Sequence, residues 1–338
     1  MGKMNIFIMA VIEILCQNMH AQQLHYDEKL DSIISTDTYK KEKFALSYDG
    51  NGRVSQVLRY RWVDDWTPYE KYLYVYDEEG RNVRLEVFSS TNGTWKKGYK
   101  LQGFYDSSGK LVEETLSLAE NAEWAPFTKD EYVYGTEGKC AETKHYLYSE
   151  GKWGLDSKWE RTYDGKGFLI RNVCYKKEGD RWEELYRNEH EYDDRGNETL
   201  DALYVKSGDG WSGHYRFGRT YNDENRMTSE TRYNWTPDKV WKKGSTVRVH
   251  RDALGNESGR DTFSAYQNRL LAREVLEYDV EHLSANIAGM DTGHLLRRYE
   301  WASPVNTLNK YAYKLLSRQT IDAQGNCQEG WTLYYSKE

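Results

Sequence analysis

Any chemistry in this chain would have to come from scattered groups. The paired carboxylates Asp64-Asp65 and Asp193-Asp194 come nearest to an acid–base couple, but both sit among turn residues, where a solvated loop side chain is the ordinary use. The histidines His25, His145, His190, His214, His250, His282 and His294 show neither HExxH nor any paired metal spacing. No GxSxG elbow, P-loop or dinucleotide fingerprint is present. The remaining chemistry is stacking by aromatic rings. Trp62, Tyr148 and Trp235, each ten residues past its turn position, are additional to the basic pattern of the chain. They are the candidates for stacking on sugars or on a protein partner, and filling the interior is their other use.

Those rings are positioned by a repeat. The tryptophans Trp66, Trp95, Trp124, Trp153, Trp182 and Trp211 are spaced by 29 residues, and Trp241 follows at 30. Independently, Tyr48, Tyr76, Tyr105, Tyr134, Tyr163, Tyr192 and Tyr221 are spaced by 28 and then by 29. A third landmark is Tyr60, Phe88, Tyr146, Tyr175, Tyr204 and Tyr233, with Ser117 as the exception.

Each unit splits into two strand-length runs between two turn signals, the pattern of consecutive hairpins. The first turn reads YDGNG, YDEEG, YDSSG, YDGKG or YDDRG. Its Asp can accept hydrogen bonds from backbone N–H groups two and three residues on, and its Gly can take positive φ in a bulged loop. Asp49, Asp77, Asp106, Asp164 and Asp193, with Gly80, Gly109, Gly138, Gly167 and Gly196, are therefore assigned to turn structure and not to calcium, whose loops need denser carboxylates.

Strict alternation between the turns puts Trp95, Tyr99, Leu101 and Tyr105 on one face and Lys96, Lys100 and Gln102 on the other. It likewise groups Trp182, Tyr186, Asn188, His190 and Tyr192 against Glu183, Arg187, Glu189 and Glu191. The expected fold is all-β, an antiparallel meander of tandem hairpin repeats of about 29 residues, curled into a spiral or superhelical sheet or a wide barrel with the Trp/Tyr face inward. A β-propeller is the alternative. An outer-membrane barrel is disfavoured, because the aromatic-bearing face also holds Asp130, Arg161, Asn188, His190 and Arg219, and a basic residue facing lipid near the midplane costs about 2 to 4 kcal/mol.

Composition agrees with an aromatic-rich β-protein: 29 Tyr and 12 Trp stand beside 30% charged residues and a net charge of -7. The mild acidity and the lack of a Lys/Arg stripe argue against nucleic acid. Met1 to Ala21, with Lys3 and the apolar run Ile6 to Cys16, reads as a signal peptide, so the chain is expected to be exported to the periplasm, the outer surface or the medium. Lipid attachment at Cys16 is the other reading of that segment. No later stretch is apolar enough for a membrane helix. The remaining cysteines, Cys140, Cys174 and Cys327, occupy unrelated repeat positions and suggest no disulfide framework and no metal site.

The domains follow: a signal over 1–21, a lead-in over 22–43 with a short strand or helical turn near Leu30 to Ser35, tandem repeats over 44–250, and degenerate repeats over 251–338. The last region caps the stack or carries a ligand site. The YDxxG turns with Trp-rich spacers, and the GN pairs Gly196-Asn197 and Gly255-Asn256, resemble uncharacterised secreted YD-type repeat proteins of gram-negative anaerobes, and more distantly RHS/YD repeats. The resemblance covers residues 44 to 255. It implies export and a β-repeat body, and supplies no catalytic residue. Function is expected to be that of a non-catalytic surface or secreted scaffold binding a glycan or protein partner, without cofactor. A polysaccharide-acting enzyme with its acids on different strands, or a purely structural envelope protein, is the alternative.

Overall fold

In a computed structural model the described residues are 28–289, except 136 and 209, and 310–337. The expected signal peptide and Cys16 lie outside them. The strands β1 (Glu28–Asp37), β2 (Lys41–Tyr48), β3 (Val54–Trp62), β4 (Trp66–Tyr76), β5 (Asn82–Thr91), β6 (Thr94–Tyr105), β7 (Leu111–Glu120), β8 (Glu123–Tyr134) and β9 (Cys140–Ser149) form the first part of one antiparallel meander. It continues through β10 (Lys152–Tyr163), β11 (Leu169–Glu178), β12 (Arg181–Tyr192), β13 (Glu198–Ser207), β14 (Gly210–Tyr221), β15 (Met227–Trp235), β16 (Trp241–Arg251), β17 (Glu257–Ser264) and β18 (Leu270–Leu283). A 3-10 turn, Ser284–Asn286, and the short β19 (Ile287–Ala288) lead on to β20 (Tyr313–Asp322) and β21 (Cys327–Lys337).

The sheet closes. β18 pairs with β20, β20 with β21, and β21 with β1 from Glu28↔Lys337 to Asp37↔Glu329. Twenty strands thus form a wide barrel, while β19 runs parallel to the first residues of β1, where β2 does not reach. Continuous pairing around the ring rules out propeller blades, which would interrupt it. The degenerate region 251–338 supplies the strands that complete the closure.

The hairpin turns explain the repeat motif. In the Tyr163 turn the Asp164 carboxylate accepts from the backbone N–H groups of Lys166 and Phe168, two and four residues on, at 2.9 and 2.8 Å. Gly167 closes the loop at φ +84°. In the GN turns the Asn also reaches back: Asn197 Nδ2 donates to Asp193 at 2.8 Å and Asn256 Nδ2 to Asp252 at 3.0 Å. Arg53 and Arg81 replace that amide with ion pairs to Asp49 and Asp77, at 2.7 and 2.6 Å. The Trp-side turns are tighter. At Asn92-Gly93, Asn121-Ala122 and Glu150-Gly151 both central residues have positive φ, as a two-residue hairpin with right-handed strand twist requires.

The inner face carries the core. Leu30, Ile33, Phe44, Leu85, Leu101 and Leu315 are fully buried there, on the early strands and the closing ones. Tyr72, Tyr74 and Tyr76 extend the same face of β4. Further round, from β8 to β15, the inner face turns polar.

One expectation about faces is overturned. Every Trp-side hairpin contains a single-residue bulge on its second strand, at Tyr69, Gly98, Phe127, Asp156, Leu185, His214 and Gly244. One extra residue flips everything beyond it to the other side of the sheet. Tyr99, Leu101 and Tyr105 therefore face inward, but Trp95 and Lys97 face outward; Trp182 is likewise separated from Asn188, His190 and Tyr192. The turn tyrosines, such as Tyr105 and Tyr192, belong to the interior, and the repeat tryptophans to the outer surface.

Candidate binding face

The outer face repeats one arrangement around the barrel. Lys129 on β8 lies directly across from Tyr146 on β9, with its Nζ 4.6 Å from the Tyr146 ring centre and 5.7 Å from that of Trp153 on β10. Lys158 sits in the same way over Tyr175 and Trp182, at 5.2 and 5.0 Å, and Arg187 over Tyr204 and Trp211, at 5.1 and 4.5 Å. Lys71 spans Phe88 and Trp95 at 4.8 and 4.9 Å. Each is a cation held against two electron-rich ring faces. Where the ring is missing, at Ser117 opposite Lys100, Trp124 is covered by Lys97 at 5.2 Å instead. Successive units lie two strands apart, roughly 10 Å along the circumference.

The basic residues of this ladder were missed in reading the sequence, although the signal was there: Lys71, Lys100, Lys129, Lys158, Arg187 and Arg216 keep the same 29-residue spacing as the rings. Strict alternation hid them, because it set them on the face opposite the tryptophans.

The structure places all three singled-out aromatics on this outer face, each as the cross-strand partner of a repeat tryptophan. Trp62 meets Trp66 edge-on at 5.2 Å, Tyr148 meets Trp153 at 5.0 Å, and Trp235 meets Trp241 at 5.0 Å. They do not converge: β3, β9 and β15 are six strands apart, so they cap three separate hairpins. Trp62 is the most open, 44% exposed, with Lys41 over both its ring and that of Trp66. The Trp235 pair is joined by Tyr204, 5.9 Å from Trp241, and packs over Gly213, where a Cβ would stand 2.4 Å from Trp241 and 2.6 Å from Trp235. Only a glycine admits both rings.

The five polar residues that argued against a membrane barrel face inward and are held by hydrogen bonds and, at Asp130, His190 and Arg219, by ion pairs. His145 Nδ1 lies 2.5 Å from Asp130, and Arg161 donates to Thr143 at 2.9 Å. Asn188 donates to the Tyr215 hydroxyl at 2.9 Å. His190 Nδ1 lies 2.7 Å from Glu198, and Arg219 contacts Glu198, donates to Glu230 at 2.8 Å and approaches Asp201 at 3.9 Å. The hydrogen bond from His190 and the Arg219 charge hold Glu198 below the usual carboxylate range, whereas burial pushes Asp201 above it. These two carboxylates are thus pushed in opposite directions on the inner face. The acid pairs at Asp64-Asp65 and Asp193-Asp194 remain at turns, away from it.

Cys140, Cys174 and Cys327 are free thiols, and burial pushes Cys174 up to about 11. Among the described residues no group of three or more His, Cys, Asp or Glu could hold a metal ion, and no helix is long and apolar enough to cross a membrane.

No family model matches the chain, and no curated protein matches it. Among solved structures it is similar to a porin-like protein from Bacteroides uniformis, 10% identical over 91% of this chain and 98% of that one, with a TM-score of 0.33. It is similar to the Photorhabdus luminescens Tc holotoxin pore at 12% identity over 87% of this chain and 18% of that one, with a TM-score of 0.31. A DUF3836 family protein from Bacteroides vulgatus is 16% identical over 26% of this chain and 90% of that one, with a TM-score of 0.22. Scores this low carry no argument about activity, and function has to be argued from the chain's own residues.

Proposed function

We propose that the protein is an exported, non-catalytic barrel whose outer face binds glycan chains on its ladder of cation-backed tryptophans. The observation that carries this reading is the recurrence of a half-exposed Trp, braced by a Lys or Arg and a second ring, at two-strand intervals around the barrel. A brace of this kind fixes ring orientation before binding, which reduces the entropy lost when a ligand stacks on it. A linear polymer meets successive rings along the circumference, so weak single contacts add up through multivalency.

The same face argues against lipid. Lys129 with Glu131, Lys158 with Glu160 and Arg187 with Glu189 stand on the outside of their strands. Basic residues repeated in successive units there would each cost about 2 to 4 kcal/mol near a bilayer midplane. The reading therefore places the barrel in an aqueous compartment, periplasmic or outside the cell.

The test is a glycan-array screen of residues 22–338 beside two variants, Trp62→Ala/Trp235→Ala and Trp95→Ala/Trp182→Ala, each checked for folding. Binding that is lost in the folded variants supports the ladder. An array without signal shifts the function to a protein partner or a structural role. A second reading, a polysaccharide-acting enzyme, draws support from the opposed shifts of Glu198 and Asp201. Release of reducing ends from an array-positive glycan, abolished by Asp201→Asn, would favour it.

A further inference from the structure

Near the YD-turn end of the barrel, a cavity of about 370 Å³ opens between the turns after β14 and β16 and the start of the closing strands. It lies apart from the outer ladder, and its wall is rich in cations. Among the described residues, Arg226, Arg251, Arg260 and Lys310 all line it, against one lining carboxylate, Glu257. That carboxylate is already engaged on both oxygens by Arg260, at 2.5 and 3.1 Å. Arg226 lies 3.3 Å from Glu224 of its own turn. Arg251 spends its donors on neutral acceptors, the carbonyls of Gly255 and Met227, at 3.2 and 3.0 Å. Among the described residues Lys310 forms no ion pair; its amine lies over the Tyr311 ring at 4.9 Å, and the charges of Glu274 and Glu257 act on it from further off. Among the described residues, Arg251 and Lys310 therefore face the cavity with no carboxylate within ion-pairing distance, although Glu257 is the cross-strand neighbour of Arg251.

A second observation is independent of charge. Tyr311 is 7% exposed, lines the cavity, and its hydroxyl has no hydrogen-bond partner among the described residues. A buried hydroxyl left unpaired is destabilising, a cost that a ligand oxygen would remove.

We propose that this cavity is a binding site for an organic anion of monosaccharide size, a carboxylate-bearing sugar being the class that fits. The carboxylate meets Arg251 and Lys310, and a ligand oxygen accepts from Tyr311. The rings of Tyr278 and Tyr311 in the wall give the ligand body an apolar surface that a bare inorganic anion would not use. The volume falls in the range of small-ligand sites, about 300 to 1,000 Å³. The site would operate whether or not the outer ladder binds glycans.

Calorimetric titration of residues 22–338 with glucuronate, glucose and inorganic phosphate tests this, alongside Lys310→Met and Tyr311→Phe, with thermal melts to establish folding. Saturable glucuronate binding is expected, with glucose at least tenfold weaker and phosphate weaker than glucuronate. Lys310→Met should weaken glucuronate by about tenfold and Tyr311→Phe by about fivefold, equivalent to about 1.4 and 1 kcal/mol. The proposal is overturned if glucuronate fails to saturate into the millimolar range, if glucose or phosphate binds equally well, or if both folded variants bind glucuronate as the parent does.

Discussion

The Tyr163 hydroxyl donates a 2.8 Å hydrogen bond to the carbonyl of Cys140, just beyond the last backbone pair between β9 and β10, Glu160↔Glu142. The same stitch recurs in Tyr105 to Asn82, Tyr134 to Leu111, Tyr192 to Leu169 and Tyr221 to Glu198, at 2.7 to 3.0 Å. In the next unit Arg251 takes the place of the tyrosine and donates to Met227 at 3.0 Å. The repeat tyrosine thus binds each hairpin to the one before it, from the inner face, at the end where the ladder has run out.

Removing one stitch should be measurable. Tyr163→Phe keeps the ring and leaves a carbonyl without its donor, so a loss of about 1 kcal/mol is expected in urea unfolding. Tyr163→Phe combined with Tyr221→Phe, two repeats away, should come close to the sum of the single losses. An unchanged midpoint in the double variant would show that the hydroxyls contribute nothing.

The YD turn makes a sharper demand. At φ +84° a β-branched residue is strained whatever space surrounds it, and a Cβ on Gly167 would also displace the Lys139 amine that donates to its carbonyl. Gly167→Val is expected to cost more than about 1 kcal/mol, and Gly167→Asn less, because Asn tolerates the left-handed region. Equal stability for Gly167→Val and the parent would contradict the turn geometry.

The turn carboxylates also set an acid limit. Hydrogen bonds from Asn197, Asn256 and Asn326 hold Asp193, Asp252 and Asp322 below their ordinary value of 3.8. A carboxyl whose folded value is depressed contributes its stability above the unfolded value and loses it as pH falls through the folded one. Stability should therefore hold from neutral pH down to about pH 5 as far as these groups decide it, and decline below about pH 4. Asp193→Asn/Asp252→Asn should make that decline shallower in pH-dependent thermal melts, and a decline of unchanged steepness would count against the turn assignment.

The cation ladder predicts a spectroscopic effect. Lys158→Met removes the charge between Tyr175 and Trp182 but keeps the length of the stem, so a modest destabilisation of about 0.5 to 1 kcal/mol is expected together with a shift in tryptophan emission. Lys100→Met, whose cross-strand partner is Ser117, should leave emission unchanged. Identical spectra for Lys158→Met and the parent would remove the ladder as an organised feature.

Much of this architecture was legible in the sequence, because it is written in residue types. The YDxxG turn needs Asp and Gly, the hairpins need alternation, and the period shows in Trp and Tyr. The bulge is not written that way. Its positions hold Tyr69, Gly98, Phe127, Asp156, Leu185, His214 and Gly244, which share a place in the period and no chemistry. A bulge is satisfied by backbone geometry, so the side chain is free to vary, and period-two counting runs through it and assigns the tryptophans to the wrong face. Closure was equally hidden, since it depends on β1 meeting β21 across 305 residues of sequence, as in the hydrogen bond from Ser336 to Asp31. The basic cavity draws on Arg226, Arg251, Arg260 and Lys310, which no local motif unites.

The bulge turns the repeat tryptophans outward on a closed barrel. Hydroxyl-radical footprinting of the folded protein, read residue by residue by mass spectrometry, measures it directly. Trp62, Trp95 and Trp182 should be oxidised in the native state, whereas Trp331, at 7% exposure, should be modified only after unfolding. Protection of Trp95 and Trp182 to the same degree as Trp331 would put them inside and contradict both the outer ladder and the function built on it.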